Sequence, residues 1–195
     1  MNLKSICVYC GSSPGRIEAY ADSARILAQA LVEREIRLVY GGASVGIMGI
    51  VADAVLNAGG QVVGVIPDAL VRREVAHKNL TKIHVTRSMH ERKLLMAEMS
   101  DGFIALPGGI GTLEEIFEAW TWTQLGIHGK PCGLLNVEGY FDKLTSFLDH
   151  AAAEGFIKSS HRSLLFIETD PNVLLNNFSN YQSQNAERLG GLTEI

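Results

Sequence analysis

Two kinds of hydrophobic pattern alternate along the chain. Short apolar runs stand at 5–10 (SICVYC), 36–41 (IRLVYG), 61–67 (QVVGVIP), 82–86 (KIHVT), 102–107 (GFIALP), 131–137 (PCGLLNV) and 163–169 (SLLFIET). Several are unbroken apolar stretches, as expected for strands buried on both faces. Between them the period lengthens. Residues 17–34 carry apolar side chains at 20, 24, 27, 28 and 31, one stripe of an amphipathic helix. Further helices fit at about 46–58, 88–99, 112–125, 140–153 and 171–179. Strands alternating with helices predict an α/β fold: a Rossmann-like parallel sheet of about seven strands, helices on both faces, right-handed crossovers. No repeat or linker interrupts residues 1–180, which read as a single domain. The segment 181–195, YQSQNAERLGGLTEI, reads as a polar C-terminal tail, expected to be loosely ordered in part.

Composition narrows the classes. Hydrophobic residues make up 47% of the 195 and charged residues 19%, the balance of a globular protein. A net charge of −4 and a pI near 5.9 argue against a nucleic-acid groove, which needs a basic excess. No apolar run approaches the roughly 18 residues that span a bilayer. The amino-terminal MNLKSICVYC lacks the long apolar region and cleavage site of a secretory leader, so a cytoplasmic protein is expected, with no membrane partner. Cys7 and Cys10 form a C-x-x-C, but residues three apart in a strand point to opposite faces, and no second pair completes a metal site. They read as core thiols, as does Cys132. Neither a metal nor a cofactor is expected.

In a parallel sheet of this kind ligands sit beyond the carboxyl ends of the strands, and three turns there are rich in glycine. They are GSSPG (11–15), YGGASVGIMG (40–49) and PGGIGT (107–112), each running from a strand into a helix. Glycine lets backbone approach a ligand closely, and helix N-termini offer free N–H groups and a positive dipole end. Three such turns on one edge point to a phosphorylated ligand. The dinucleotide fingerprint G-x-G-x-x-G is absent, and the second strand ends Tyr40-Gly41-Gly42 with no acid. The only Gly-Lys pair is followed by Pro131, which excludes a P-loop. A mononucleotide or a sugar phosphate remains.

Acids follow the third turn. Thr112-Leu113-Glu114-Glu115 matches the capping box S/T-x-x-E, so Thr112 and Glu115 have a purely structural reading, and Glu114 suits a helix start. On a helical wheel Leu113, Ile116, Phe117, Trp120 and Gln124 share the packing face. Glu114, Glu115, Glu118, Trp122 and Leu125 lie opposite. A Trp and a Leu among three glutamates suggest a ligand pocket or a subunit interface. The second cluster is SMHERKLLMAEM (88–99). Its Arg92 and Lys93, near a helix N-terminus, read either as a solvated charged face or as anion partners.

PGGIGTLEE together with MHERK resembles the P-G-G-x-G-T-x-x-E and arginine signatures of the Lonely Guy (LOG) family, the cytokinin riboside 5′-monophosphate phosphoribohydrolases. The GSS and YGG…G.MG turns fit as well, over roughly residues 5 to 180. The resemblance implies a nucleoside 5′-monophosphate-binding domain. It also implies hydrolysis of the N-glycosidic bond of an adenine-type nucleotide, AMP or an N6-modified AMP such as isopentenyl-AMP, and a homodimer. Carried over by motif, the site comprises Arg92, Lys93, the segment Gly109, Ile110, Gly111, Thr112, Leu113, Glu114 and Glu115, and also Glu74 and Thr121. Gly11, Ser12, Gly42 and Gly108 join it from the glycine turns. Such cleavage passes through an oxocarbenium-like sugar. Glu115 is assigned to stabilise that cation or activate water, the Gly108–Thr112 amides to hold the 5′-phosphate, and Arg92 to orient Glu115. Relatives are often labelled lysine decarboxylases. That chemistry needs a pyridoxal phosphate Schiff base, which nothing around Lys93 or Lys130 specifies. The alternative reading is a non-catalytic nucleotide-binding module.

Overall fold

The computed structural model describes residues 2–71 and 76–182. Glu74 and the tail from 183 onward lie outside the described residues. In chain order the elements are β1 (Ser5–Tyr9), α1 (Ala19–Glu33), β2 (Arg37–Tyr40), α2 (Gly46–Asn57), β3 (Val62–Pro67), α3 (Asp68–Val71), β4 (Lys82–Thr86), α4 (Met89–Glu98), β5 (Gly102–Ala105) and α5 (Ile110–Leu125). There follow β6 (Cys132–Leu135), a 3₁₀ turn (Val137–Gly139), α6 (Asp142–Ala153), α7 (Ser159–Arg162), β7 (Leu165–Glu168) and α8 (Pro171–Asn180). The seven strands form one sheet in the order β4-β3-β2-β1-β5-β6-β7, and every pairing is parallel.

The inner runs become strands because both of their faces are covered, whereas β4 at the sheet edge is largely exposed and β7 at the other edge is half-buried. Along β1 the side chains alternate between two cores: Ile6 and Val8 join the layer under α1, α2 and α8, while Cys7 and Tyr9 join the layer under α4, α5 and α6. Cys10 belongs to the first core and Cys7 to the second, so the C-x-x-C pair is divided by the sheet. Burial pushes both thiols far up in pKa and Cys132 up to about 12, so all three are neutral core groups.

The boundaries differ from the periodicity where side chains take over the backbone's hydrogen bonds. The helix expected from residue 140 begins at Asp142. The Asn136 side chain accepts from Phe141 N–H (2.8 Å) and donates to Asp142 Oδ1 (2.7 Å), winding 137–141 into a tight turn. α3 and α7, four residues each, are too short to show a period.

Candidate active site

The strand order places β1 beside β5, and from this pair the chain winds outward in both directions. Such a switch point opens a crevice at the carboxyl ends. The turn after β1 and the turn after β5 meet there: Gly11 N–H donates to Pro107 O at 3.1 Å. The second glycine turn, after β2, abuts them through Met48 N–H, which donates to Gly11 O at 3.3 Å. The three turns singled out in the sequence are one structure.

α5 leaves this junction. Its N-cap is Gly109, in extended conformation and without a side-chain cap, so the helix starts two residues before Thr112. Thr112 is therefore inside the first turn rather than capping it, and the capping-box reading of Thr112 and Glu115 does not describe this helix start. A Cβ on Gly108 would collide with the Thr112 hydroxyl and with Gly11 N, so glycine is required for the two turns to close. The first N–H groups of α5 have no helical carbonyl to donate to, and they carry the positive end of its dipole.

Arg92 enters from α4. Ser88 caps this helix, its Oγ accepting from Glu91 N–H at 3.1 Å, while Glu91 accepts from Arg87 N–H at 2.8 Å. The pattern S-x-x-E thus works as a cap here. One position on, Arg92 runs inward: Nε donates to Val65 O of β3 at 3.0 Å, and Nη1 pairs with Glu115 Oε1 at 3.0 Å, the two side chains only 8% and 11% exposed. The guanidinium occupies space that a Cβ on Gly41 would fill. Held on two sides, it fixes the carboxylate's position.

The pair walls a cavity of about 260 Å³ together with Cys10, Gly11, Ser12, Met48 and Gly109–Thr112. A second cavity of about 270 Å³, which shares Gly11, Ser12 and Gly109 with the first, is lined by Gly11–Gly15, Tyr20, Ile47, Pro107–Gly109 and Tyr140. A larger groove of about 550 Å³ runs past Lys4, Glu35, Arg37 and Gly59–Gln61. It lies at the amino ends of β1 and β2, away from the switch point, and holds no buried acid–base pair. Among the described residues no group of three or more His, Cys, Asp or Glu side chains could hold a metal.

Of the residues expected at the site, Gly11, Ser12, Arg92, Gly109, Ile110, Gly111, Thr112 and Glu115 line the first cavity. Gly108 lines the second. Lys93 is buried but ties α4 to α5, pairing with Glu114 and, at 2.9 Å, with Glu118. Burial alone would lower its pKa, yet the two carboxylates outweigh it and hold the ammonium above its usual range. Leu113 packs against the α4–α6 core. Thr121 is exposed, and its hydroxyl donates to Phe117 O at 2.7 Å. Gly42 is not among the residues lining the cavity; it packs against Gly64–Ile66 of β3, and its carbonyl accepts from His77 N–H at 2.9 Å. Cys10 and Met48 line the cavity although the sequence had pointed to neither; the signal for Met48 was its place inside the second glycine turn. Trp122 is half-buried against its own chain, its ring edge-on to His128 at 6.2 Å.

A family model described as "Possible lysine decarboxylase" matches residues 48–178. A probable cytokinin riboside 5′-monophosphate phosphoribohydrolase of Oryza sativa subsp. japonica is 51% identical over 178 residues, covering 91% of this chain and 78% of the relative. The chain belongs to the LOG family. A LOG relative from Rhodococcoides fascians, named cytokinin riboside 5′-monophosphate phosphoribohydrolase, is 51% identical over 86% of this chain and 85% of its own length. Among solved structures, the molybdenum cofactor carrier protein of Chlamydomonas reinhardtii superposes with a TM-score of 0.66 at 20% identity, covering 91% of this chain and 99% of the carrier. That likeness carries the fold alone.

Proposed function

We propose that this LOG protein hydrolyses the N-glycosidic bond of adenine-type nucleoside 5′-monophosphates, releasing the base and ribose 5-phosphate. Cytokinin ribotides such as isopentenyl-AMP, and AMP itself, are the substrate class. The observation that carries the reading is the buried Arg92–Glu115 pair set in the wall of a cavity that also exposes the N-terminus of α5. The names borne by relatives of about half identity support it.

In this reading Gly108–Thr112 and the Gly11–Ser12 turn hold the 5′-phosphate on backbone N–H groups. Glu115, one turn further along α5, faces the sugar. As the bond to the base stretches, positive charge develops on C1′ and O4′, and the carboxylate stabilises it. Water then adds to C1′; Glu115 takes its proton, and the departing base is protonated in turn. Arg92 keeps the carboxylate aimed and charged. A decarboxylase is a different chemistry, and the cation in the wall of the Glu115 cavity is the Arg92 guanidinium, which forms no Schiff base.

We also propose that the protein acts as a cytoplasmic homodimer. No helix of the described residues is long and apolar enough to cross a membrane. Leu94 of α4 and Leu125 of α5, 52% and 60% exposed, are the apolar side chains a second copy would cover.

The activity is tested by incubating the full-length protein with AMP and with isopentenyl-AMP and resolving free base by chromatography. Release of base from either supports the reading. Saturable AMP binding without release refutes it and leaves a nucleotide-binding module.

A further inference from the structure

The chemistry above takes only the backbone of Gly11, Ser12, Gly108 and Gly109 from the second cavity, and leaves its two tyrosines without a role. The Tyr140 hydroxyl donates to Gly108 O at 2.5 Å, across 32 residues of chain. Tyr140 follows β6, on a turn built with unusual care. Glu138 (φ 50°) and Gly139 (φ 69°) both stand in the left-handed region, where a non-glycine residue is uncommon. Asn136 locks the turn from inside through Phe141 and Asp142. The Tyr140 ring is then held edge-on by Tyr20 at 5.6 Å and by Phe141 at 4.9 Å. A ring 42% exposed needs no such mounting merely to cover surface.

The consequence lies in the peptide it grips. The amide between Gly108 and Gly109 is trans and planar, as every peptide bond described here lacks a cis geometry, so its N–H points opposite to its C=O. With the carbonyl held toward Tyr140, the Gly109 N–H points away from that hydroxyl, and Gly109 also lines the cavity walled by Arg92 and Glu115. Two successive glycines would otherwise let this peptide rotate almost freely. We propose that Tyr140 is a positioning residue: its hydroxyl fixes the Gly108–Gly109 peptide so that the Gly109 N–H donates to the substrate's 5′-phosphate. This rests on the reading of the 108–112 loop as the phosphate site. It assigns the aromatic wall of the second cavity a support role, with Tyr20 and Tyr140 as a brace for the glycine loop.

The test uses full-length Tyr140→Phe, which keeps the ring and its aromatic contacts and removes the hydroxyl. Affinity for ribose 5-phosphate is measured by calorimetry, which requires no turnover. KM and kcat for AMP, inhibition by free adenine, and thermal midpoint are measured alongside. The ribose 5-phosphate Kd rises about three- to tenfold, the range one neutral hydrogen bond contributes. KM for AMP rises with it, while kcat, adenine inhibition and the thermal midpoint stay close to wild type. An unchanged Kd in the variant, with wild type binding normally, overturns the role of Tyr140 alone. Equal weakening of ribose 5-phosphate and adenine, with a lower thermal midpoint, also overturns it, since that is general loosening. Wild type that fails to bind ribose 5-phosphate overturns the phosphate-loop reading and this inference with it.

Discussion

Replacing Glu115 by Gln separates chemistry from structure, because the two side chains share a shape and an acceptor oxygen. Glu115 pairs with Arg92 at 3.0 Å, and both side chains are about nine-tenths buried. Removing one partner of a buried ion pair costs about 3–5 kcal/mol. Here the amide oxygen still accepts from Nη1, Val65 O still accepts from Nε, and water reaches the cavity side. The cost for Glu115→Gln is therefore about 1–2 kcal/mol, whereas Glu115→Ala approaches the full figure. For a chain of this size each kcal/mol lowers the thermal midpoint by about 2–4 °C. Glu115→Gln thus melts a few degrees below wild type and is folded at 25 °C. Its turnover, however, falls about 10²- to 10⁴-fold, the usual contribution of a positioned acid–base group. Arg92→Ala loses activity comparably, and the double variant is little worse than the weaker single one, since the two groups act as a unit. The assay is base release from AMP at fixed folded concentration, with folding checked by circular dichroism. Glu115→Gln within about tenfold of wild-type kcat, beside a lowered melting point, would refute the assignment and leave Glu115 a structural ion-pair partner.

Other expectations follow from neighbouring groups. Burial, and then the charge of Lys130, push the His128 pKa down to about 4, while an unfolded histidine protonates near about 6.5. The unfolded state therefore binds the proton first, and stability is lost as pH falls from about 6.5 to about 4 and not further. Denaturant titrations at pH 7 and 4.5 check this: His128→Asn, which keeps an acceptor for Lys130 N–H, loses about 1–2 kcal/mol less than wild type over that interval, allowing for partial exposure. Lys93→Met lowers the melting point by a few degrees at most, because its glutamate partners are partly solvated and such pairs contribute about 1 kcal/mol or less. KM for AMP stays within about twofold if the ammonium only ties the helices, and a larger rise would make it an anion partner. Leu125→Glu shifts the species seen by light scattering from dimer toward monomer; an unchanged mass removes this face from the contact.

The inner strands were legible because parallel strands covered on both faces leave a bare mark in sequence, an uninterrupted apolar run; the edge strand β4, KIHVT, is largely exposed and shows only alternating β-branched residues. Helices of three turns or more were legible for the complementary reason, a stripe repeated often enough to be seen. α3 and α7 offer one turn each, and no periodicity can be read from a single turn. The wheel drawn for 112–125 also failed in detail. Gln124, assigned to the packing face, is exposed, and Thr112 and Thr123, assigned to no face, are buried. A threonine can turn its hydroxyl back to the helix and present a methyl group to the core, as Thr123 does by donating to Ala119 O at 3.2 Å.

The pattern S/T-x-x-E occurs at both helices of the candidate site, and only one copy caps. In SMHE the chain arrives extended at Ser88, and Glu91 bonds back toward it. In TLEE the helix has already begun, because Gly108 and Gly109 carry the chain into Ile110 with no side chain in the way. Two glycines thus shift the helix start by two residues. The same shift takes Glu115 out of a capping position and leaves its carboxylate one turn inside the helix, within reach of Arg92. A residue-by-residue pattern cannot register this, since the deciding quantity is where the backbone first turns helical. The glycine pair therefore does two things at one point: it opens the N–H groups for an anion, and it frees the acid behind them for a partner other than its own backbone.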